Sequence, residues 1–432
     1  MAFNHTTASI PGPDDITRLE LDNGLVILAR RNPNSPSVTM RGFLHVGGLF
    51  DQDEKLGLSD FVAASLMRGT HQRDFQRLHD DLESVGAGMG FSGATHTTGF
   101  SARSLAEDAE LLLAILAECL RSPSFPPDQI ERLRAQILTG LSLRAQNTGE
   151  MAALTFDQLV YPNHPYSRPE EGHPETIQAI KNSDLKAFHQ RHYGPRSMVI
   201  AVVGSLEPPR AVDMVRRVFE DWENPEQPSL PDLPNWEPLA ETVSQRLDIP
   251  GKSQSDLVVG TAGPARREPD FIPASVGNNI LGQFGLMGRI GEVVREQAGL
   301  AYYAYSSISG GLGPGPWSVR AGVNPDNEEK AVELIHRELE RFSDELVHPD
   351  ELSDTQSNFI GRLPLSLESN AGVAGALLNL ERYQLGLDYY RRYPGMIKAV
   401  TREDVLQAAR QYLRPDRMAV AVAGPARTQA VP

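Results

Sequence analysis

A chain of 432 residues is longer than one hydrophobic core usually serves, so two or more domains are expected. Hydrophobic residues make up 40% and charged residues 22%, which speaks against a mainly disordered chain. Lys plus Arg number 41 against 56 for Asp plus Glu, and the net charge of −15 repels phosphate backbones, so nucleic acid is not expected as a partner.

Met1 to Asp15 is polar and acidic, without the basic start or apolar run of a secretory signal. No stretch reaches the roughly 20 apolar residues of a spanning helix. The expectation is a cytoplasmic protein with no membrane partner. Gly24 to Arg30 and Ser37 to Val46 are strand-like, and helical patterns follow from Leu58, Leu105 and Pro127. Leu105, Ala109, Leu112, Leu116 and the single cysteine, Cys119, recur at helical spacing, which predicts a buried structural thiol.

Further on, Asp256 to Ala262 is strand-like. Leu300 to Ile308 and Trp317 to Val323 read as strands joined by the Gly- and Pro-rich Ser309 to Pro316. Val332, Ile335, Leu339, Phe342 and Leu346 form a helical apolar stripe suited to core packing.

A weak internal repeat organises these elements. Asp184 to Pro195 followed by Met198 to Gly204 aligns without gaps, 220 residues on, with Asp404 to Pro415 followed by Met418 to Gly424. Each copy reads as a helix, a Pro-containing turn and a continuous apolar strand ended by Gly. Pro127-Asp128 and Pro349-Asp350 mark helix starts at nearly the same offset. Between the copies, prolines at 225, 228, 231, 234 and 238 define a linker. The expected division is residues 1–221, a linker at 222–240, and residues 241–432.

Gly47-Gly48-Leu-Phe-Asp51, followed by Gly57-Leu-Ser-Asp60-Phe61-Val-Ala63-Ala64-Ser-Leu-Met-Arg-Gly69-Thr70, resembles the signature of the pitrilysin family of metallopeptidases. Gly57, Phe61, Gly69 and Thr70 keep the frame of that pattern. In the family, an H-x-x-E-H helix places two histidines on one face to grip zinc, with the Glu between them as base. Here those positions hold Asp60, Ala63 and Ala64. Alanine neither coordinates metal nor accepts a proton, so Asp60 alone cannot rebuild the site. The family's third ligand, a Glu, is expected near Gly140, and no carboxylate occurs from Arg132 through Thr148. This chain is therefore expected to bind no metal. His189 and His192, three apart on a predicted helix, make a weak two-ligand pattern for which a structural or surface role is favoured. His164-Pro165-Tyr166 followed by Gly172 is similar to another family stretch, with an architectural role.

In the second half, Leu281 to Tyr302 resembles the other family signature, including Arg289 and Gly299-Leu300-Ala301. Its Arg295 and Tyr302 stand where the family carries a pair that faces zinc across the substrate chamber. A guanidinium and a phenol can both donate to the oxygen of an attacked peptide carbonyl. An Arg and a Tyr seven apart are also common as an exposed helix residue and a buried strand residue; the surrounding motif favours the functional reading. Gly282, Gly285 and Gly288 match loosely the Gly-rich, substrate-contacting loop of the non-zinc subunit of mitochondrial processing peptidase.

The resemblance spans about Leu21 to Gly424. It implies an α+β fold of two homologous α/β domains, each a mostly antiparallel sheet packed with helices. It further implies the non-zinc subunit of a heterodimeric zinc endopeptidase. Arg295 and Tyr302 would then serve the zinc of a homologous partner subunit, and unfolded peptides would be the substrates. The alternative is a catalytically inactive scaffold or peptide-binding homologue, as a homodimer.

Overall fold

The structure is a computed structural model that describes residues 10–426. The first nine residues, and with them part of the Met1–Asp15 reading, lie outside the described residues. In chain order the elements are β1 (Thr17–Glu20), β2 (Val26–Arg31), β3 (Ser37–Leu44), α1 (Leu58–Ser65), α2 (Phe75–Glu83), β4 (Gly88–Gly93), β5 (Thr98–Leu105), α3 (Ala109–Arg121), α4 (Pro127–Arg144), α5 (Thr148–Val160), α6 (Pro174–Ala179), α7 (Asn182–His192), β6 (Val199–Gly204) and α8 (Pro208–Phe219). The second half follows with β7 (Val243–Asp248), β8 (Ser255–Ala262), α9 (Phe271–Gly282), α10 (Gly288–Ile290) running into a π-helical turn at Gly291–Gln297, β9 (Ala301–Gly310), β10 (Pro314–Val323), α11 (Glu328–Asp344), α12 (Pro349–Ser366), α13 (Asn370–Arg382), α14 (Tyr389–Ala399), α15 (Arg402–Tyr412) and β11 (Ala419–Gly424).

The first sheet has the order β1-β2-β6-β3-β5-β4 and the second β7-β11-β8-β10-β9. Apart from β1 the two orders correspond strand for strand. Only β2–β6 and β7–β11 are parallel; the other pairs are antiparallel. The repeated segments are α7 with β6 and α15 with β11, spaced by the same 220 residues. β6 and β11 are buried along their whole length, which is why they read as unbroken apolar runs instead of alternating ones.

One face of the first sheet, with Ile27, Met40, Ala102 and Val202, packs under α3 and α8. Its other face is covered at β3 and β6 by α13. In the second sheet Leu257, Val259, Val319 and Val420 face the core shared with α9, α11 and α15. Ala152, Phe156 and Val160 of α5 close the other face over Val258, Ala419 and Ala421. Accordingly, the two compact units interleave in sequence. One contains the chain up to Leu141, Pro169–Asp232 and Leu363–Arg392; the other contains Ser142–Arg168, Leu233–Arg362 and the chain from Tyr393 onward.

Some boundaries differ from the periodicity. Leu105 ends β5 and is exposed, and the helix bearing Cys119 begins at Ala109, because Leu105 matched the helical spacing by coincidence. Leu346 lies beyond the end of α11 at Asp344 and is exposed. The strand β4, Gly-Met-Gly-Phe-Ser-Gly, has too few large side chains to show a period. The Pro-rich segment has no helix or strand, yet each end is pinned to its own unit. Gln227 donates to the carbonyl of Arg196 at 3.0 Å, and the Trp236 indole donates to that of Val160 at 2.9 Å. Among the described residues no helix is long and apolar enough to cross a membrane.

Candidate functional site

The degenerate motif lies on α1, and the retained frame residues have architectural work there. Gly57 enters the helix at φ 90°, and a Cβ on it would stand 2.7 Å from the carbonyl oxygen of Glu171. Buried Asp51 accepts the backbone N–H groups of Gly57 (3.0 Å) and Ser59 (2.9 Å), which satisfies donors at the helix start. Burial outweighs those bonds and raises the Asp51 carboxyl to about 7. Phe61 is fully buried with the Arg134 guanidinium 5.2 Å from its ring centre. The Thr70 hydroxyl accepts the N–H groups of Gln72 and Arg73 at 3.1 and 3.0 Å, shaping the turn after Gly69.

Asp60 accepts the N–H of Gly93 at 3.2 Å, at the end of edge strand β4. Its carboxyl is raised to about 6, first by burial and then by the negative charge of Glu171 and Glu170. Ala63 is fully buried and Ala64 partly so. Gly140 lies on α4, where a Cβ would meet nothing within 4 Å. Among the described residues, no three of His, Cys, Asp and Glu come together as a metal site.

The histidines on α7 serve separate contacts. His189 is hydrogen-bonded through Nε2 to the carbonyl of Leu120 at 2.8 Å and stacks on Tyr193. His192 packs against Phe50 and Phe188, with ring centres 4.6 and 4.4 Å away. Burial lowers both to about 4, so they are neutral at pH 7. His164 Nδ1 accepts the N–H of Tyr166, holding the turn after α5. Cys119 is buried and its thiol is pushed up to about 12, which makes it a packing residue and not a nucleophile.

In the second unit, Arg295 lies on the π-helical turn and Tyr302 is the second residue of edge strand β9. Gly299, at φ 64°, ends the turn and redirects the chain into β9. Arg295 is 37% exposed in its side chain and has Glu296 as an ion partner at 3.8 Å; Tyr302 is 68% exposed. Neither side chain makes a hydrogen bond among the described residues, so both present free donors.

The loop before them is tightly folded. Gly282 ends α9 so close to Ser306 that a side chain has no room, and a Cβ on Gly288 would stand 2.6 Å from the backbone of Gly282 and Ile280. Gly285 and Met287 also have positive φ, 61° and 74°. Phe284 and Leu286 flank Gly285 and are exposed. Gly282 and Gly288 are thus needed for packing, and Gly285 is the one of the three in open space. Arg289 anchors the loop through a bidentate pair with Glu351 at 2.7 and 2.5 Å.

Residues 26–162 match the family described as Insulinase (Peptidase family M16), and residues 179–359 match the Peptidase M16 inactive domain. The chain belongs to the M16 metallopeptidase family. It is 26% identical over 427 residues to an "uncharacterized zinc protease" of Streptomyces coelicolor, covering 96% of this chain and 90% of that protein. It is 24% identical over 269 residues to bovine cytochrome b-c1 complex subunit 1, mitochondrial, covering 61% of this chain and 55% of that protein. Among solved structures, a peptidase M16 inactive domain from Pseudomonas fluorescens superposes with TM-score 0.89 at 27% identity, covering 96% of this chain and 99% of that one. A protease from Helicobacter pylori shares the fold with TM-score 0.89 at 18% identity, covering 95% and 99%.

In this M16 chain the residues at the zinc positions do not fit the ion. One buried carboxylate beside two methyl groups gives neither a tetrahedral donor set nor a base. Sequence reasoning missed a cleft of about 1080 Å³ in the second unit, lined by Phe284, Leu286, Arg289, Glu292, Glu338 and Glu351 among others. Its walls come from helices some 50 residues apart in the chain. The available signal was Glu338, a carboxylate inside the apolar stripe of α11, which is buried and paired bidentately with Arg341 at 2.9 and 2.8 Å.

Proposed function

We propose that this chain is the non-zinc subunit of a heterodimeric zinc endopeptidase, placing Arg295 and Tyr302 at the substrate carbonyl in the site of a homologous zinc-bearing subunit. The carrying observation is an asymmetry. Asp60, Ala63, Ala64 and Gly140 supply neither a metal cage nor a base, whereas the guanidinium of Arg295 and the phenol of Tyr302 stand exposed with unused donors. Donors aimed at the oxygen of a tetrahedral intermediate act only when another group delivers the nucleophile. A zinc-activated water in the partner would supply it.

Unfolded peptides suit this reading because β4 and β9 are edge strands with unused backbone groups, able to take an added strand. The exposed Phe284-Gly285-Leu286 segment offers an adaptable apolar contact to the same class of ligand.

The test is co-expression with a homologous subunit that carries H-x-x-E-H. The pair should cleave peptides, the isolated chain should not, and zinc should be found at one per heterodimer. Arg295→Ala and Tyr302→Phe should each lower kcat by roughly a hundred- to a thousandfold. Full activity of the doubly substituted heterodimer would end the catalytic reading. The similarity to a subunit of the cytochrome b-c1 complex favours a second reading, an inactive scaffold. A stable homodimer in solution that ignores zinc-bearing homologues would support it.

A further inference from the structure

The second sheet carries an arginine that its own unit does not use. Arg320 lies on β10, directly across from Tyr305 on β9 and Val258 on β8. Its Nε is buried and has no hydrogen-bond partner, and no carboxylate forms an ion pair with the guanidinium among the described residues. Buried donors in folded chains almost always have acceptors, and a cation inside a sheet normally has a counter-charge.

The surroundings explain why the counter-charge is missing. Tyr303 and Tyr305 share a face of β9, with ring centres 5.8 Å apart. Tyr303 lies across Gly322, where a Cβ would come within 2.5 Å of its ring, and so reaches Asp256 on β8 and donates its hydroxyl hydrogen there. Asp256 also accepts from Thr148, the first residue of α5, and from Gln254 at 3.0 Å. Asp256 on this face is therefore engaged by three neutral donors, and it forms no ion pair with Arg320 among the described residues. The Tyr305 hydroxyl makes no hydrogen bond among the described residues. On this face α5 packs over β8 and β11, so the portion carrying Tyr305 and Arg320 lies beside the covered part, with Tyr305 only partly buried.

We propose that Arg320 and Tyr305 form a receiving site for a carboxylate of a bound peptide, either an acidic side chain or a free C-terminus. The guanidinium offers a planar fork of donors that matches a carboxylate, and the phenol adds one more. The aromatic pair supplies an apolar wall beside the charge, which strengthens the contact relative to open water. The inference rests on the proposed function only in taking an unfolded peptide as the ligand.

The test uses the full chain and three fluorescein-labelled, unstructured peptides of about twelve residues in anisotropy titrations. The first has a central Glu and an amidated end, the second a central Gln and an amidated end, and the third a central Gln and a free C-terminal carboxylate. At least one carboxylate peptide should bind about tenfold more tightly than the amidated Gln peptide. Which one does so identifies the source of the carboxylate. Arg320→Gln should abolish the preference, Arg320→Lys should keep part of it and Tyr305→Phe should weaken it. The melting temperature of Arg320→Gln should equal or exceed that of the parent, since no internal partner is lost. Equal binding of all three peptides, absence of binding, or a preference that survives Arg320→Gln would each overturn the site. A lower melting temperature without any change in preference would assign Arg320 to packing. These outcomes leave the roles of Arg295 and Tyr302 untouched, because those are read from cleavage with the zinc-bearing subunit.

Discussion

Asp60 reaches from the first position of the degenerate metal motif to the backbone N–H of Gly93, 3.2 Å away at the end of edge strand β4. A position that binds zinc in an H-x-x-E-H helix here ties α1 to the sheet. Burial of the carboxyl, reinforced by the negative charge of Glu171 and Glu170, makes the arrangement pH-sensitive.

The folded carboxyl of Asp60 sits near 6, above the usual value of 3.8, so the folded chain holds the proton more tightly than the unfolded one. The resulting stabilisation is full below about pH 4 and is lost as pH rises through 6. Asp51, raised to about 7, adds a slope of the same sign. Asp60→Asn keeps an acceptor for Gly93 without the charge. It should raise stability at pH 7 by about 1–2 kcal/mol and flatten the pH dependence between 4 and 6. Denaturant melts at several pH values measure this, and an unchanged slope would contradict it.

Restoring ligands without the base separates metal binding from catalysis. Asp60→His and Ala64→His place two imidazoles four residues apart on α1, and Gly140→Glu enters open space on α4. The triple variant should retain zinc at one per chain after dialysis while hydrolysing nothing, because Ala63 still provides no proton acceptor. Metal analysis and a peptide cleavage assay report the two halves of this expectation.

The glycines of the loop before Arg295 should respond unequally. Gly285→Ala meets open space and carries only the left-handed φ of 61°, so it should cost about 1 kcal/mol. Gly288→Ala adds an overlap with the backbone of Gly282 and Ile280, which cannot swing aside as a side chain can. It should cost about 2–4 kcal/mol by urea denaturation. Equal costs would show that the loop relaxes freely.

The sequence by itself determined the repeat, because β6 and β11 are buried on both faces and leave matching apolar runs that survive divergence. It also determined the loss of the zinc ligands. Metal binding needs particular donor atoms at a fixed helical spacing, and Ala63 and Ala64 carry none whatever their surroundings. The hairpin at β9 and β10 was legible from its Gly and Pro punctuation, whereas β4 was not, since alternate glycines hide its period.

Only the tertiary structure decided where α5 and α13 belong, because an apolar helical stripe states that it is buried but not against which sheet. It likewise decided that the charge of Asp256 is engaged by Thr148, Gln254 and Tyr303 while the Nε of Arg320 has no hydrogen-bond partner among the described residues. Those residues lie as much as 172 positions apart in the chain, and hydrogen bonding depends on the atoms that meet in space, which no local spacing records.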